Sequence, residues 1–357
     1  MMYQLNFCAG PASLPETIYQ SLSQMVLNYQ NTGLSLLSLS HRDQLFAKIN
    51  NKIKQHLRSL ITLPESYEIL LMPAGASAQF AAVPMNLKKV GKALYINSGY
   101  WAKAAIKEAR KFIDVDVIEG VDSAVDHVTQ SYDYLHYTEN ETIDGMIWQK
   151  IPEVNLPLVC DMSSSFLSKP IDVTKYDVIY AGAQKNIGLP GVTVVLIKKI
   201  LIESIQQKAI PAILSYQAMQ QADSLYNTPD MFAWAAMELV LADLIKQGGL
   251  DIVAQKNARK AALLYETIDQ SRLFSNNVPS HNRSSMNVVF QLPSAELTAE
   301  FLAFADRKGI YGIAGHRSIG GVRVSLYNAV VLKAVQQLIS VMHEFESYNT
   351  PHILDHS

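Results

Sequence analysis

From about residue 16 to residue 250, short apolar runs bounded by turn residues alternate with longer segments whose apolar positions recur every three or four residues. That alternation predicts a mainly parallel sheet covered by helices, because strands buried on both faces read as unbroken apolar runs. Strands are expected at 67–72, 93–97, 116–118, 156–160, 178–180 and 192–197. Between the first of them and the N-terminus, the segment 43–61 places Leu45, Phe46, Ile49, Ile53, Leu57 and Leu60 on one helical face. Further helices are expected at 79–87 and 231–246. Gly248 and Gly249 stop the latter, and another helix runs over 250–271.

The pattern changes beyond that point. Strands at 287–292 and 322–327 and helices at 295–308 and 331–348 read as a smaller α+β unit, followed by a polar tail over 349–357. The expected organisation is therefore a large α/β domain over 16–252 and a small α+β domain over 253–357, which the N-terminal segment 1–15 joins. A chain of 357 residues usually exceeds one core, which agrees with two domains.

Composition narrows the function. Half the residues are hydrophobic (49%) and 17% are charged, which excludes a chain disordered as a whole. The 30 Lys and Arg nearly balance 32 Asp and Glu without a basic run, so nothing tracks a nucleic-acid backbone. The two cysteines, Cys8 and Cys160, are too few for a structural zinc site or a disulfide framework, and no metal is expected. No apolar run has bilayer-spanning length and the N-terminus lacks the features of a signal peptide, so a cytoplasmic protein is expected, with no membrane partner.

The chemistry concentrates where apolar runs end. The run Val178-Ile-Tyr-Ala-Gly-Ala-Gln-Lys185 leads into a Gly/Pro loop, which puts a lysine at the carboxyl edge of the sheet, where ligands of open α/β sheets bind. Such a lysine is either a Schiff-base former or a solvated, snorkelling side chain. Asp161 ends the run Leu-Pro-Leu-Val-Cys-Asp161 at the same edge. It either caps the Ser-rich turn that follows or pairs with a pyridinium nitrogen, keeping it protonated as an electron sink. The lysine and the carboxylate together favour pyridoxal phosphate. Small residues in Ala74-Gly-Ala-Ser77-Ala open a helix after a strand, a place where backbone N–H groups hold an anion or where small residues merely allow close packing. Trp101 follows another strand and lies either in the core or against a cofactor ring.

The segments Asn6-Phe-Cys-Ala-Gly10-Pro-Ala, Ser40-His-Arg42, Ala74-Gly-Ala-Ser77-Ala-Gln-Phe80, Gly99-Tyr-Trp101-Ala, Asn140-Glu-Thr142-Ile-Asp-Gly145, Asp161-Met-Ser-Ser, Ala183-Gln-Lys185-Asn, Asn227-Thr-Pro229 and Gly315-His-Arg317-Ser-Ile-Gly-Gly-Val-Arg323 occur in this order. In that order they resemble the phosphoserine aminotransferases, class V pyridoxal phosphate enzymes of fold type I. The resemblance runs from about residue 6 to residue 346 and implies the large PLP-binding domain and smaller α+β domain outlined above.

Position by position, the resemblance implies that Lys185 forms the Schiff base and that Asp161 pairs with the pyridine nitrogen. Trp101 stacks on the ring, and Thr142 bonds its phenolic oxygen. Ala76, Ser77 and Gln184 contact the phosphate. Asn227 and Thr228 are expected to reach the cofactor of a neighbouring subunit, which implies a homodimer with shared sites. Arg323 is the expected partner of the substrate α-carboxylate, with His41, Arg42, His316 and Arg317 around a distal anion. Forked guanidinium groups suit both carboxylate and phosphate. The implied substrates are L-glutamate and 3-phosphooxypyruvate, giving 2-oxoglutarate and O-phospho-L-serine in serine biosynthesis, with a related phosphorylated four-carbon acid of pyridoxine biosynthesis as a further candidate.

Two departures from the family pattern stand out. Ser77 occupies a position where some bacterial members carry an arginine that helps bind the distal anion, and Ala9 replaces a serine of some relatives. The alternatives to a phosphoserine aminotransferase are another class V enzyme, such as an alanine:glyoxylate-type aminotransferase or a cysteine desulfurase, and a pyridoxal phosphate protein without turnover. A small glyoxylate-type substrate would leave the basic cluster with no distal anion to neutralise. A desulfurase needs an activated cysteine on a mobile loop, whereas Cys8 and Cys160 both sit inside the segments quoted above.

Overall fold

A computed structural model describes residues 5–120, 131–206 and 209–354. The chain opens with β1 (Leu5–Asn6), α1 (Glu16–Leu27), α2 (Gln44–Ile61), β2 (Tyr67–Pro73), α3 (Gln79–Leu87), β3 (Lys92–Asn97), α4 (Tyr100–Ala109) and β4 (Asp114–Glu119). Next come β5 (Leu135–Thr138), β6 (Asn140–Glu141), β7 (Met146–Ile147), β8 (Leu158–Asp161), β9 (Val178–Gly182), β10 (Val192–Lys198), α5 (Lys199–Glu203) and α6 (Tyr216–Gln221). The remainder is α7 (Met231–Lys246), α8 (Leu250–Gln270), β11 (Asn287–Phe290), α9 (Ala295–Arg307), β12 (Ile310–Tyr311), β13 (Val322–Ser325) and α10 (Leu332–Leu354).

Seven strands form the central sheet in the order β2-β10-β9-β8-β5-β3-β4. The pairs β9/β8, β8/β5, β5/β3 and β3/β4 are parallel, and β10 runs antiparallel between β2 and β9. The sheet is thus mainly parallel. Both of its faces are buried, and successive residues of one strand feed opposite cores: Ile69 and Leu71 of β2 pack on one side, Leu70 and Met72 on the other. The first side is closed by α1, α2 and α7, the second by α3, α4 and α6.

Helix α2 shows why these segments fold as they do. The Asp43 carboxylate accepts from Leu45 N at 2.8 Å and caps the first turn. Phe46, Ile49, Ile53, Leu57 and Ile61 then fall at helical spacing and are buried, each contributing about 2 kcal/mol of apolar burial. Thr62, in the left-handed conformation (φ 50°), ends it.

A third core joins Phe7 to the second half of α8, β11, β13, α9 and α10, and β1 pairs in parallel with β12. The boundary expected at 252/253 falls within α8. Leu250 and Val253 pack in the first core, whereas Ala261, Leu264 and Ile268 pack in the third.

The structure corrects two expectations. Strand β5, in the middle of the sheet, was absent from the sequence reading, because Leu135-His-Tyr-Thr is short and rich in polar atoms; hydrogen bonds to Tyr180 and Tyr176 help bury His136 and Tyr137. The polar tail expected after residue 348 is instead the end of α10, which continues to Leu354. Polar composition alone does not end a helix: the Asn349 amide donates to Phe345 O at 2.8 Å, one turn back, although Pro351 lies within the last turns. Residues 355–357 of that expected tail lie outside the described residues. Among the described residues no helix is long and apolar enough to cross a membrane.

Candidate active site

The parallel strands end along one edge of the sheet. Thr138 closes β5 and Asp161 closes β8, and the two are register partners. Asp161 is in turn paired with Tyr180 of β9, two residues before that strand ends at Gly182. Because β10 is antiparallel to both β9 and β2, strand β2 points the same way as β9 and delivers residues 74–78 to this edge.

The turn after β2 is held by its backbone. Ala74 has φ 69°, a left-handed conformation that costs a non-glycine residue about 1 kcal/mol or more. Its N–H donates to Gly191 O at 3.1 Å, and its carbonyl accepts from Thr193 Oγ1 at 3.0 Å. These bonds to the start of β10 offset the strain and aim the 76–78 turn at the cavity.

One cavity collects the edge residues. It has about 460 Å³ of space between atoms, part of it open to solvent, and is lined by Gly75, Ala76, Ser77, Trp101, Thr142, Asp161, Gln184 and Lys185. Phe80, Thr138, Asn140, Ser163 and Ser164 complete the wall. Lys185 Nζ donates to Thr142 Oγ1 at 2.8 Å and sits 5.9 Å from the Trp101 ring centroid. Burial lowers the Lys185 pKa to about 8; the charges of Asp161 and Glu141 oppose that shift, and Arg323 adds to it.

Asp161 is buried, at 5% exposure. Its Oδ1 accepts from Ser163 N at 2.8 Å and Ser163 Oγ at 2.6 Å. Burial raises its pKa, while the Ser163 hydrogen bonds and the Lys185 charge pull it down.

Trp101 opens α4, and Glu141 fixes that opening. The Glu141 carboxylate accepts from Trp101 N at 2.8 Å, Ala102 N at 2.9 Å and Ser98 Oγ at 3.1 Å, while Asp144 Oδ2 accepts from Tyr100 N at 3.0 Å. An acidic pair at a helix N-terminus suits the orphan donors found there. Gly99 is required for the fit, since a Cβ would meet Asp144 Oδ2 at 2.5 Å and the Glu141 side chain at 2.8 Å. The N-terminal segment covers the lysine loop, with Ala12 N donating to Gln184 O at 2.8 Å.

Of the other predicted residues, Arg323 is half-buried beside Cys8 and Tyr327 and close enough to act on Lys185. The His316 ring lies 5.0 Å from that of Tyr100, next to Trp101, and its Nδ1 is 2.6 Å from Ser318 Oγ. Arg42, Arg317, Asn227 and Thr228 are exposed, and Thr228 Oγ1 lies 3.3 Å from His41 Nδ1. None of these five lines the cavity. The sequence reading missed Thr138, Ser163 and Glu141. Glu141 stood inside the quoted Asn140-Glu-Thr142 segment, but its partners lie on another element.

The cavity wall holds unfinished polar atoms. Trp101 Nε1, Thr138 Oγ1 and Gln184 Oε1 are buried without a hydrogen-bond partner among the described residues, and a ligand in the cavity could supply the partners they lack. A lysine amine, a buried carboxylate, an indole and a small-residue turn fit the aldehyde, ring nitrogen, ring face and phosphate of pyridoxal phosphate. Fold and site together define a fold type I enzyme that works through that cofactor.

The comparisons with known proteins agree. The profile of the aminotransferase class-V family matches residues 4–338. The phosphoserine aminotransferase of Acinetobacter baylyi is 44% identical over 356 residues, covering 96% of this chain and 99% of its own. The solved phosphoserine aminotransferase from Bacillus circulans subsp. alkalophilus superposes with a TM-score of 0.93 at 38% identity, covering 98% of this chain and all of that one. A PLP-bound phosphoserine aminotransferase from Trichomonas vaginalis gives 0.90 at 32% identity, covering 95% and 99%. The chain belongs to the class V aminotransferases and, within them, to the phosphoserine aminotransferase family.

Proposed function

We propose that this protein transfers the amino group of L-glutamate to 3-phosphooxypyruvate, reversibly, giving O-phospho-L-serine and 2-oxoglutarate. The observation that carries the reading is the shared cavity of Lys185 and Asp161, with three unpaired buried polar atoms in its wall. Bound pyridoxal phosphate supplies an electron sink for the charge released when the α-proton leaves an amino acid.

Lys185 would hold the cofactor covalently, and its amine, once free, would take the α-proton of a bound amino acid at Nζ and return one, a task suited to an amine whose pKa lies near 8. Thr142 Oγ1, 2.8 Å from Nζ, orients that amine. Asp161 would pair with the ring nitrogen and favour its protonated form, Trp101 would cover the ring, and the turn Gly75 to Ser77 with Gln184 would hold the phosphate.

Arg323 binds the substrate α-carboxylate with its two-pronged guanidinium. His41, Arg42, His316 and Arg317 bind the distal carboxylate or phosphate. The exposed pair Asn227 and Thr228 reaches the cofactor of a second copy, so the enzyme acts as a homodimer. We place it in the cytoplasm and in serine biosynthesis, and we include the phosphorylated four-carbon oxo acid of pyridoxine biosynthesis among its substrates.

A coupled assay with glutamate and 3-phosphooxypyruvate tests cofactor, substrate and reaction together. Faster turnover with alanine than with phosphoserine as amino donor would overturn the substrate assignment. Borohydride reduction followed by peptide mapping is expected to mark Lys185; a label on another lysine would overturn the cofactor attachment.

A further inference from the structure

The hairpin that leads into Thr142 and the strand pair that carries Arg323 meet across a buried polar junction. Val288 and Phe290 of β11 and Val322 and Val324 of β13 pack in the third core. Strand alternation therefore turns Asn287, Val289, Arg323 and Ser325 to the opposite face. On that face Asn287 is the register partner of Ser325, and Val289 of Arg323. The face sits against the turn between β6 and β7. A Cβ at Gly145, which has φ 71°, would meet Val289 Cγ2 at 2.5 Å, so only a glycine permits the approach.

Proton counting fixes the direction of the bonds across this junction. Ser284 Oγ accepts from Met286 N and Asn287 N, both at 3.0 Å, so its lone pairs are taken and its hydroxyl donates to Asn140 Oδ1. Asn140 Nδ2 then donates to Ser164 Oγ and to Asn287 Oδ1, each at 2.8 Å. Asn287 Nδ2 is left to donate to Ser325 Oγ at 2.9 Å and Tyr327 Oη at 3.3 Å. Tyr327 gives its own hydroxyl proton to Ala9 O, a pure acceptor, at 2.8 Å. Turning either amide over would set donor against donor. Asn140, Ser164, Ser284, Asn287, Ser325 and Tyr327 are all buried, at 2% exposure or less, where a donor without an acceptor is costly.

We propose that Asn287 is a positioning residue for amino transfer: by tying β11 and β13 to Asn140, it fixes where Arg323 stands relative to the Lys185 amine. A substrate held by its α-carboxylate then presents its Cα–H to that amine. The inference rests on the function proposed above. Both ends of the measure run through the junction. Asn140 is two residues from Thr142, whose Oγ1 lies 2.8 Å from Lys185 Nζ, and Ser325 is two residues from Arg323 on the same face of β13. Asn287 does not line the cavity and acts through these neighbours. A misplacement of about 1 Å between base and substrate is enough to cost about a hundredfold in rate.

The test is Asn287→Ala in the holoenzyme, alone and combined with Arg323→Ala. The single variant should lose about ten- to a hundredfold in kcat/KM, by the same factor for glutamate and for phosphoserine, because the α-carboxylate is common to both. Pyridoxal phosphate uptake by its apoprotein should keep the wild-type rate. With Arg323 already truncated, Asn287 has no guanidinium left to place, and the added loss in the double variant should stay below about twofold. A general loosening of the fold would instead multiply through both backgrounds and slow cofactor uptake. A folded single variant with wild-type kcat/KM, or a double variant that loses the full factor again, would overturn the proposal.

If Asn287→Ala does not fold, Ser325→Ala removes only the acceptor oxygen at 2.9 Å and enters the same cycle. The expected loss in kcat/KM is about fivefold with Arg323 present and below about twofold without it. Wild-type kcat/KM in that variant, or equal losses in the two backgrounds, would overturn the proposal. Wild-type enzyme that turns over neither glutamate nor phosphoserine would refute the proposed function and this inference with it, whereas an active wild type with multiplying variants refutes the positioning alone.

Discussion

Exchanging Glu141 for glutamine removes a charge without removing the side chain that holds the first turn of α4. Glu141 is 1% exposed, and burial pushes its carboxyl up to about 7. The backbone N–H groups of Ala102 and Trp101 oppose that rise, Asp144 adds to it, and Ser98 Oγ opposes it. The folded-state value therefore lies above the ordinary 4.5. A carboxyl shifted in this direction contributes stability that is complete below pH 4.5 and is lost as pH rises through 7. At ~1.4 kcal/mol per pH unit, most of that interval lies between about pH 5 and 8 and amounts to about 3 kcal/mol.

Glutamine does not titrate, and its amide imposes a cost on α4 that is the same at every pH. The stability of Glu141→Gln relative to wild type should thus rise by about 3 kcal/mol from about pH 5 to about pH 8. Urea unfolding followed by circular dichroism, at one protein concentration and one cofactor concentration, measures this difference. Other titrating groups, Lys185 and Asp161 among them, largely cancel in the comparison. Parallel stability profiles for the two proteins would show that the Glu141 carboxylate is ionised throughout and would refute the argument from burial.

Only the unprotonated Lys185 amine attacks an aldehyde, so cofactor capture by the apoprotein should accelerate as pH rises through about 8. Asp161→Asn removes a charge that raises the Lys185 pKa and should move that midpoint lower in stopped-flow absorbance; an unmoved midpoint would break the link between the two side chains. Arg323→Lys keeps the charge but loses the fork, and should raise KM about tenfold for glutamate and for phosphoserine alike. A rise for only one of them would place Arg323 at the distal anion. Lys260 Nζ donates at 2.9 Å to each of the carbonyls of Leu326, Tyr327 and Val330, just beyond the strand that carries Arg323. Lys260→Met leaves all three without that donor and should cost about 3 kcal/mol in urea unfolding, with a loss below about 0.5 kcal/mol counting against the role.

The parts of the fold legible in the sequence are those written in apolar periodicity. Helix α2 and strands β2, β3, β9 and β10 fall where their patterns place them, because burying those side chains requires that spacing. Strand β5 escaped because its burial depends on partners outside the segment: His136 reaches Tyr180, and Tyr137 reaches Tyr176. Polar atoms satisfied by distant residues look, in one dimension, like atoms bound for solvent. The site divides in the same way. Lys185 and Asp161 were legible because each ends an apolar run at the sheet edge, whereas Glu141 acts on α4 from 40 residues further along the chain.

The electrostatics of the pair connects these pieces. Burial lowers the Lys185 pKa and raises that of Asp161, and each restrains the other's shift by its charge. Tying up the lysine amine covalently removes the cation that helps keep Asp161 ionised. The Asp161 pKa then rises further unless other donors or a new positive charge face the carboxylate. Ser163 supplies donors from the protein side, and a protonated ring nitrogen would supply the charge from the cavity side. Asp161 is thus buried deeply enough to need a cation and supported well enough to select one, and this combination makes a ring nitrogen that carries its proton the favoured occupant of the cavity.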